Sequence, residues 1–411
     1  MRISNDRLLD DLKALGEIGA SEGQGRTRVV FSAEDFEARN FLIGRMKEAG
    51  LSVRIDDVGN IIGRRGDQAR KLPVVALGSH IDTVPNAGML DGCYGVVGAL
   101  EVIRTLEDND VVTSLPLEVI AFSDEEGVRF PLTVGSKVLA GLTTVQDALQ
   151  LKDSAGVSYL QALESWGRPS SSLVPARRES GEFKAWVELH VEQGSALDSS
   201  GVKIGIVKAI VGITQLLVTI RGEAGHAGAS PMVGRHDALR GSAQIVLDVD
   251  RIARETGART VGTVGHLDVR PGAMNVIPGE VELGVDFRDA SANLIDSGVR
   301  KIRDAVEATC AAQGLKCTIN ERAKLAPTPM SKSVMGSIER AALELGTSYT
   351  VMQSGAAHDT QNMARICDVG MIFVPSKGGI SHSPLEWTDP EDLELGANVL
   401  LKTALGLSGQ A

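Results

Sequence analysis

The 411-residue chain is poor in cysteine, in surplus positive charge and in long apolar runs. Its four cysteines, Cys93, Cys310, Cys317 and Cys367, are scattered and share no CxxC or zinc-knuckle spacing, which argues against a disulfide framework and against a cysteine-held metal. A reducing cytoplasm is the expected compartment. The net charge of -11 works against nucleic acid or an anionic membrane surface, because both demand concentrated lysine and arginine. A small-molecule or protein partner is expected instead. No apolar run approaches membrane-spanning length, and the N-terminal "MRISNDRLLDDLKALGEIGA" is broken by acids and bases every few residues, so it reads as an amphipathic helix and not as a signal peptide. There is no internal repeat and no low-complexity tract. What remains is a composition of 43% hydrophobic and 23% charged residues, typical of a globular protein long enough for two domains.

Four segments share one pattern, an aliphatic run followed by an abrupt polar cluster with Gly or Pro nearby: "LPVVALGSHIDTVP", "LPLEVIAFSDEEGVRF", "KAWVELHVEQG" and "VGMIFVPSKGGISHSP". Apolar runs of this length suit strands covered on both faces, which predicts an α/β fold with a mostly parallel, mixed sheet. Helical patterns lie between them. Ligands bind beyond the carboxyl ends of the strands in such sheets, where each polar cluster falls. From residue 212 the pattern changes to alternating strands and amphipathic helices in the order β-α-β-β-α-β, that of a ferredoxin-like unit. The expected division is therefore a domain of residues 1–211 and 328–411, with residues 212–327 inserted as a second, α+β domain.

The strand-end clusters collect His80, Asp82 and Asp91; Asp124, Glu125 and Glu126; His190 and Glu192; and His382. The chain has only seven histidines, and three of them are here. Imidazole nitrogens and carboxylate oxygens suit a hard or borderline divalent cation, and a pair of such cations can share one carboxylate. Singly, each residue is as well explained by a turn, a helix start or a packed histidine. Their joint placement at four strand ends favours a metal centre.

At this point a resemblance becomes specific. "GSHIDTVPNAGMLDG", "SDEEGVRF", "ELHVEQG" and "GISHSP" resemble the motifs of the dimetal amidohydrolase branch of the M20 peptidase family, which contains N-carbamoyl-L-amino acid hydrolases, allantoate amidohydrolases and bacterial β-ureidopropionases. The resemblance runs from "RTRVVFSAED" to "SHSPLEWTDPEDL", nearly the whole chain. It implies two divalent ions per subunit, Zn, Mn, Co or Ni. One would be held by His80, Asp91 and His190, and the other by Asp91, Glu126 and His382, with Asp91 bridging. Peptidase members carry a carboxylate where His190 stands, so the histidine points to the amidohydrolase branch. Asp82 is implied as the acceptor that orients the His80 ring. Glu125 is implied as general base and then acid.

For the substrate, Arg288 interrupts an apolar strand pattern, where a guanidinium suits a carboxylate, although a solvent-facing arginine fits too. The resemblance implies that Arg288 and Asn275 clamp the substrate carboxylate and that His226 stabilises the developing oxyanion. Gln193 offers an amide to the ureido group, and Gly355 allows close backbone approach. His358 suits a polar contact or simple packing, and His236 and His266 are read as structural. The expected reaction is hydrolysis of an N-carbamoyl-L-amino acid to L-amino acid, ammonia and CO2. Allantoate and β-ureidopropionate hydrolysis are alternatives, and a dimetal peptidase or aminoacylase, or a binding protein that has lost turnover, are more distant ones. Ile213, Thr214 and Gln215 stand where allantoate-specific members carry a Gln- and Arg-rich stretch, which favours a carbamoyl amino acid. The resemblance further implies a homodimer formed through the inserted domain, which would also act as a lid hinged near residues 210–212 and 326–329.

Overall fold

The structure, a computed structural model, describes residues 1–66, 72–167 and 173–409. It divides into two compact units, Met1–Lys208 with Met330–Ala411, and Ala209–Pro329, against the expected insertion of residues 212–327.

Among the described residues the first unit is built on a nine-stranded sheet whose strands are β1 (Ser52–Ile55), β2 (Ile61–Arg65), β3 (Val74–His80), β4 (Leu117–Phe122), β5 (Phe183–Val191), β6 (Ile204–Ile210), β7 (Thr328–Pro329), β8 (Tyr349–Ser354) and β9 (Val369–Val374), of which β7 and the last two residues of β6 lie just past the division between the units. The spatial order is β7-β6-β9-β5-β3-β4-β2-β1, with β8 on β6. The expectation of a mostly parallel sheet needs correction. Among the described residues the four central strands β9, β5, β3 and β4 run parallel, whereas β1, β2, β6 and β7 pair antiparallel. The strands "SVRI" and "IIGRR" mix aliphatic and charged residues, as strands outside the doubly covered centre do, and the short connection between them suits an antiparallel pair.

Every residue of β3, β4 and β9 is buried. Val75 and Leu77, with Val119, Val187 and Leu189, share a core with Leu8 and Leu12 of the first helix, Val96 and Leu100 of the helix Cys93–Asp108, and Leu393 and Leu400 of the helix Pro390–Ser408. Burial on both faces is what makes these strands read as continuous apolar runs. It also fixes where their carboxyl ends project, since a slip of one residue would turn every side chain to the opposite face.

The second unit is a four-stranded antiparallel sheet in the order Val261–Arg270, Glu280–Asp289, Gly212–Arg221, Lys316–Leu325. In chain order its strands and the helices Ala238–Thr256 and Ala292–Gln313 follow β-α-β-β-α-β, and the strand order is that of a ferredoxin-like unit. Apolar residues alternate along Glu280–Asp289, where Val281, Leu283, Val285 and Phe287 enter a core with Ile245, Val249, Ile302 and Val306 of the helices. Among the described residues no helix is long and apolar enough to cross a membrane.

Candidate metal centre

Residues singled out in the sequence lie at, or soon after, the carboxyl ends of the four parallel strands. His80 is the last residue of β3, and His190 is the next-to-last of β5. Asp124, Glu125 and Glu126 follow β4, and His382 lies in the loop after β9. Asp91 precedes the helix Cys93–Asp108 by two residues.

Asp91 occupies the middle. Its Oδ1 lies 3.2 Å from His190 Nε2 and 3.5 Å from His80 Nε2, while its Oδ2 lies 3.2 Å from His382 Nε2. Glu126 Oε2 is 3.6 Å from His382 Nε2, and Glu125 Oε2 is 3.6 Å from His80 Nε2. Two triads, His80–Asp91–His190 and Asp91–Glu126–His382, each place one donor atom per residue within 4.8 Å of the others. Both contain Asp91.

The imidazoles are held for this arrangement by the backbone. His80 Nδ1 lies 3.0 Å from the Asp82 carbonyl oxygen, and His190 Nδ1 lies 2.9 Å from that of Val191. A carbonyl accepts only, so each Nδ1 carries a proton, and Nε2, the nitrogen that faces Asp91, is the one a neutral ring leaves free to bind a metal. Gly92 makes room: a Cβ there would fall 2.4 Å from the His80 ring, and its φ of 64° is one that glycine adopts without strain. Asp124, Gln193 and His382 also have positive φ, at 57°, 58° and 52°, and such non-glycine outliers cluster where function fixes the backbone.

The electrostatics of the site favour an added positive charge. Burial opposes a charged His80, yet Glu125, Asp91, Asp82 and Glu126 hold its pKa well above the ordinary value. Burial also opposes ionisation of Asp91, but His190, His382 and His80 keep it well below the usual carboxylate range. Burial together with Asp91 pushes Glu126 up to about 7, and burial with Asp359 and Glu126 raises Glu125 strongly against the pull of His80. Hydrogen bonding to Asp91 lifts His382 to about 9. Buried carboxylates thus outnumber what three imidazolium groups can neutralise. Glu126 Oε1 is buried without a hydrogen-bond partner, which leaves an acceptor for a cation. Donor chemistry, charge and the orphaned oxygen fit a divalent metal.

Asp82 is arranged differently from the expectation. Its carboxylate stands 3.7 Å from His80 Nδ1, farther than its own carbonyl, and instead accepts the backbone N–H groups of Glu125 at 3.3 Å and Glu126 at 3.2 Å. The sequence reading missed Glu386. It is buried, accepts from the backbone N–H groups of Leu90 and Asp91 at 2.8 and 3.2 Å, and receives the Ser381 hydroxyl, which also donates to Asp91 Oδ2 at 3.0 Å. An acid inside "SHSPLEW" was its only local signal.

A further donor set, Glu188, His190 and His358, sits deeper. It is internally satisfied: Glu188 accepts from Ser79 and from the Thr360 hydroxyl and N–H, and His358 bonds Ser354 at 2.9 Å with its ring 4.7 Å from that of His190. His358 therefore packs beneath the site.

Of the substrate residues in this unit, Gln193 donates through Nε2 to Asp91 Oδ2 at 2.6 Å, and its Oε1 is left without a partner. Gly355 is exposed at the end of β8, where a Cβ would meet no atom within 4 Å, so the space there is open rather than tight. In the second unit, His226 is exposed and its Nδ1 accepts the N–H groups of Gly228 and Ala229 at 3.1 Å, leaving Nε2–H as an outward donor. Asn275 is joined to the same turn, its carbonyl accepting the Ala227 N–H at 2.9 Å. Arg288 is held by Asp286 through Nε at 2.6 Å and Nη2 at 3.1 Å, and Asp286 also accepts from Gln215 at 2.9 Å.

Strand-end imidazoles and carboxylates gathered around one shared aspartate define an enzyme site of the metal-assisted hydrolase class. Comparison with known proteins makes this particular. Residues 76–406 match Peptidase family M20/M25/M40. The chain is 42% identical over 407 residues to an N-carbamoyl-L-amino acid amidohydrolase of Geobacillus stearothermophilus, covering 99% of each, and 36% identical to an allantoate amidohydrolase of Bacillus subtilis, covering 96% of this chain and 95% of that one. A crystal structure of a hydantoinase/carbamoylase family amidase from Burkholderia multivorans superposes with a TM-score of 0.94 at 35% identity, covering 99% of this chain and 98% of that chain. The chain belongs to the M20/M25/M40 peptidase family, in its amidohydrolase branch, and is a hydrolase acting on amides.

Proposed function

We propose that the protein hydrolyses the ureido group of N-carbamoyl-L-amino acids, with His80, Asp91 and His190 holding one divalent cation and Asp91, Glu126 and His382 a second. The observation that carries this reading is Asp91, whose two oxygens face different imidazoles, as a bridging carboxylate requires. The cations would supply Lewis-acid polarisation of the ureido carbonyl and a more acidic attacking water. Glu125, buried and 3.6 Å from the His80 Nε2 that faces Asp91, takes the water proton and returns it to the leaving nitrogen. Gln193 offers a donor and an acceptor to the ureido group. Cleavage of the bond between the ureido carbon and the amino-acid nitrogen releases the L-amino acid and carbamic acid, which falls apart into ammonia and CO2.

The roles in the second unit follow chemical type. Arg288 and Asn275 take the substrate carboxylate, Asp286 orienting the guanidinium, and His226 presents Nε2–H to the developing oxyanion. Arg288→Ala is expected to raise KM strongly with a smaller change in kcat, because a carboxylate clamp binds ground and transition states alike. Steady-state kinetics read the split, and an unchanged KM would remove the clamp from Arg288. Thr214 is buried and Gln215 is engaged by Asp286, so neither is free for a second ureido arm, which favours a carbamoyl amino acid over allantoate. Exposed Val261 and Leu267 on the edge strand Val261–Arg270 support a homodimer, for which light scattering should return twice the chain mass. Four free cysteines agree with a cytoplasmic setting.

The deciding experiment is ammonia release from metal-reconstituted protein given several N-carbamoyl-L-amino acids, β-ureidopropionate and allantoate. Preference for carbamoyl amino acids is expected. Preference for allantoate would transfer the assignment to the alternative, and no release from any of them would end it.

A further inference from the structure

The segment "RTRVVFSAED", residues 26–35, carries the family resemblance towards the N-terminus yet contributes no donor to the metal centre. Its Arg28 is wholly buried. The guanidinium donates through Nε to the Ile81 carbonyl at 3.0 Å, through Nη1 to the Leu15 and Ile18 carbonyls at 3.1 and 2.9 Å, and through Nη2 to Cys93 Sγ at 2.9 Å. Its backbone is tied as well, donating to Thr83 Oγ1 at 2.9 Å and accepting the Thr83 N–H at 3.0 Å. A buried guanidinium whose donors go to carbonyls and a sulfur is an expensive way to fill space, and an apolar side chain would do that better.

What Arg28 touches gives it a purpose. Ile81 lies between His80 and Asp82, and Cys93 is the first residue of the helix that begins two residues after Asp91. One rigid, planar fork therefore spans the two backbone segments that carry His80 and Asp91, whose side chains meet at 3.5 Å. The same stretch of chain reaches the third segment through a second buried arginine. Arg39 bonds Asp35 at 2.6 Å, the Gly59 carbonyl at 2.7 Å and Ser123 Oγ at 3.1 Å, and Ser123 leads into Asp124–Glu125–Glu126. Asp35 in turn accepts the Phe31 N–H at 2.7 Å, which ties the Arg39 ion pair to the backbone three residues after Arg28.

We propose that Arg28 is a positioning residue for metal binding, setting the separation of the His80 and Asp91 segments through its contacts with Ile81 and Cys93. The inference rests on the metal-centre reading above. It predicts that loosening these contacts weakens metal uptake even when the fold is intact, because the donors then have to be ordered by the metal itself.

The test uses the full chain, stripped of metal and titrated with Co2+ against a chromophoric chelator, for wild type, Arg28→Lys and Cys93→Ala. Thermal melting of each metal-free form and the visible spectrum of each cobalt form are recorded alongside. Both variants are expected to bind Co2+ about tenfold more weakly, the lower end of what outer-sphere substitutions cost, with an altered cobalt spectrum. Cys93→Ala should melt with wild type, since it removes one contact to Arg28 and leaves the carbonyl contacts in place. Should Arg28→Lys fail to fold, Cys93→Ala decides alone. Wild-type affinity and spectrum in the folded variants would overturn the proposal and leave Arg28 a packing residue. Failure of wild type itself to take up Co2+ would overturn the metal-centre reading first, and the proposal with it.

Discussion

Replacing Glu125 by glutamine is expected to lower kcat by about 10² to 10⁴-fold, the usual worth of a general acid–base group, with metal content, melting temperature and KM near those of wild type. The amide keeps the shape and the hydrogen-bonding reach of the side chain and removes only its ability to carry a proton. The setting suits that role. Glu125 is buried, it faces His80 Nε2 at 3.6 Å, and its backbone N–H is fixed by Asp82 at 3.3 Å. Burial and the neighbouring Asp359 and Glu126 raise its pKa strongly while His80 opposes them, which makes its carboxylate a stronger base than an exposed one. Metal analysis, melting curves and ammonia-release kinetics on the same preparation check the prediction together. A variant with near wild-type kcat would move the proton-transfer role elsewhere; one that loses metal would make Glu125 a ligand.

The site was legible in the sequence to the extent that its residues lie next to strands with an unmistakable pattern. β3, β4, β5 and β9 are buried on both faces, so each reads as a continuous aliphatic run, and the polar residue that ends the run is conspicuous. His80, Glu125, Glu126 and His190 were found in that way. The antiparallel flanks were not legible as such. β1 and β2 are short and carry arginines, and pairing direction follows from the connection between strands more than from their composition. Glu386 was invisible for another reason: its partners are Leu90 and Asp91, almost three hundred positions earlier, so nothing in its neighbourhood betrays it. Arg28 and Arg39 were hidden likewise. An arginine in a polar stretch is ordinarily exposed, and only the packed fold reveals that these two are sealed beneath the loops they hold.

Asp82 shows a finer limit. Its spacing from His80 marks it as a partner of the imidazole, but a sequence cannot say whether the carboxylate or the backbone carbonyl makes the contact. Here the carbonyl is nearer the ring and the carboxylate holds the loop of Glu125 and Glu126.

That distinction separates Asp91 from Asp82 experimentally. Asp91→Ala is expected to weaken uptake of both metals by about 100-fold or more, since residues merely outside the coordination sphere already cost 10- to 100-fold and this one faces both triads. It also frees His80, His190 and His382 from their common partner, so the loss should appear as metal-free protein of nearly native fold, with no turnover. Asp82→Ala keeps the backbone carbonyl that orients His80, and should retain its metal. It removes the carboxylate that fixes the backbone of the proposed base, so kcat should fall about 10- to 100-fold. Equilibrium dialysis followed by elemental analysis, run beside ammonia release, reads both quantities on one sample. Metal loss in Asp82→Ala would return the carboxylate to the role of orienting the imidazole. Retention of one full equivalent of metal in Asp91→Ala would mean that the two triads do not depend on a shared aspartate.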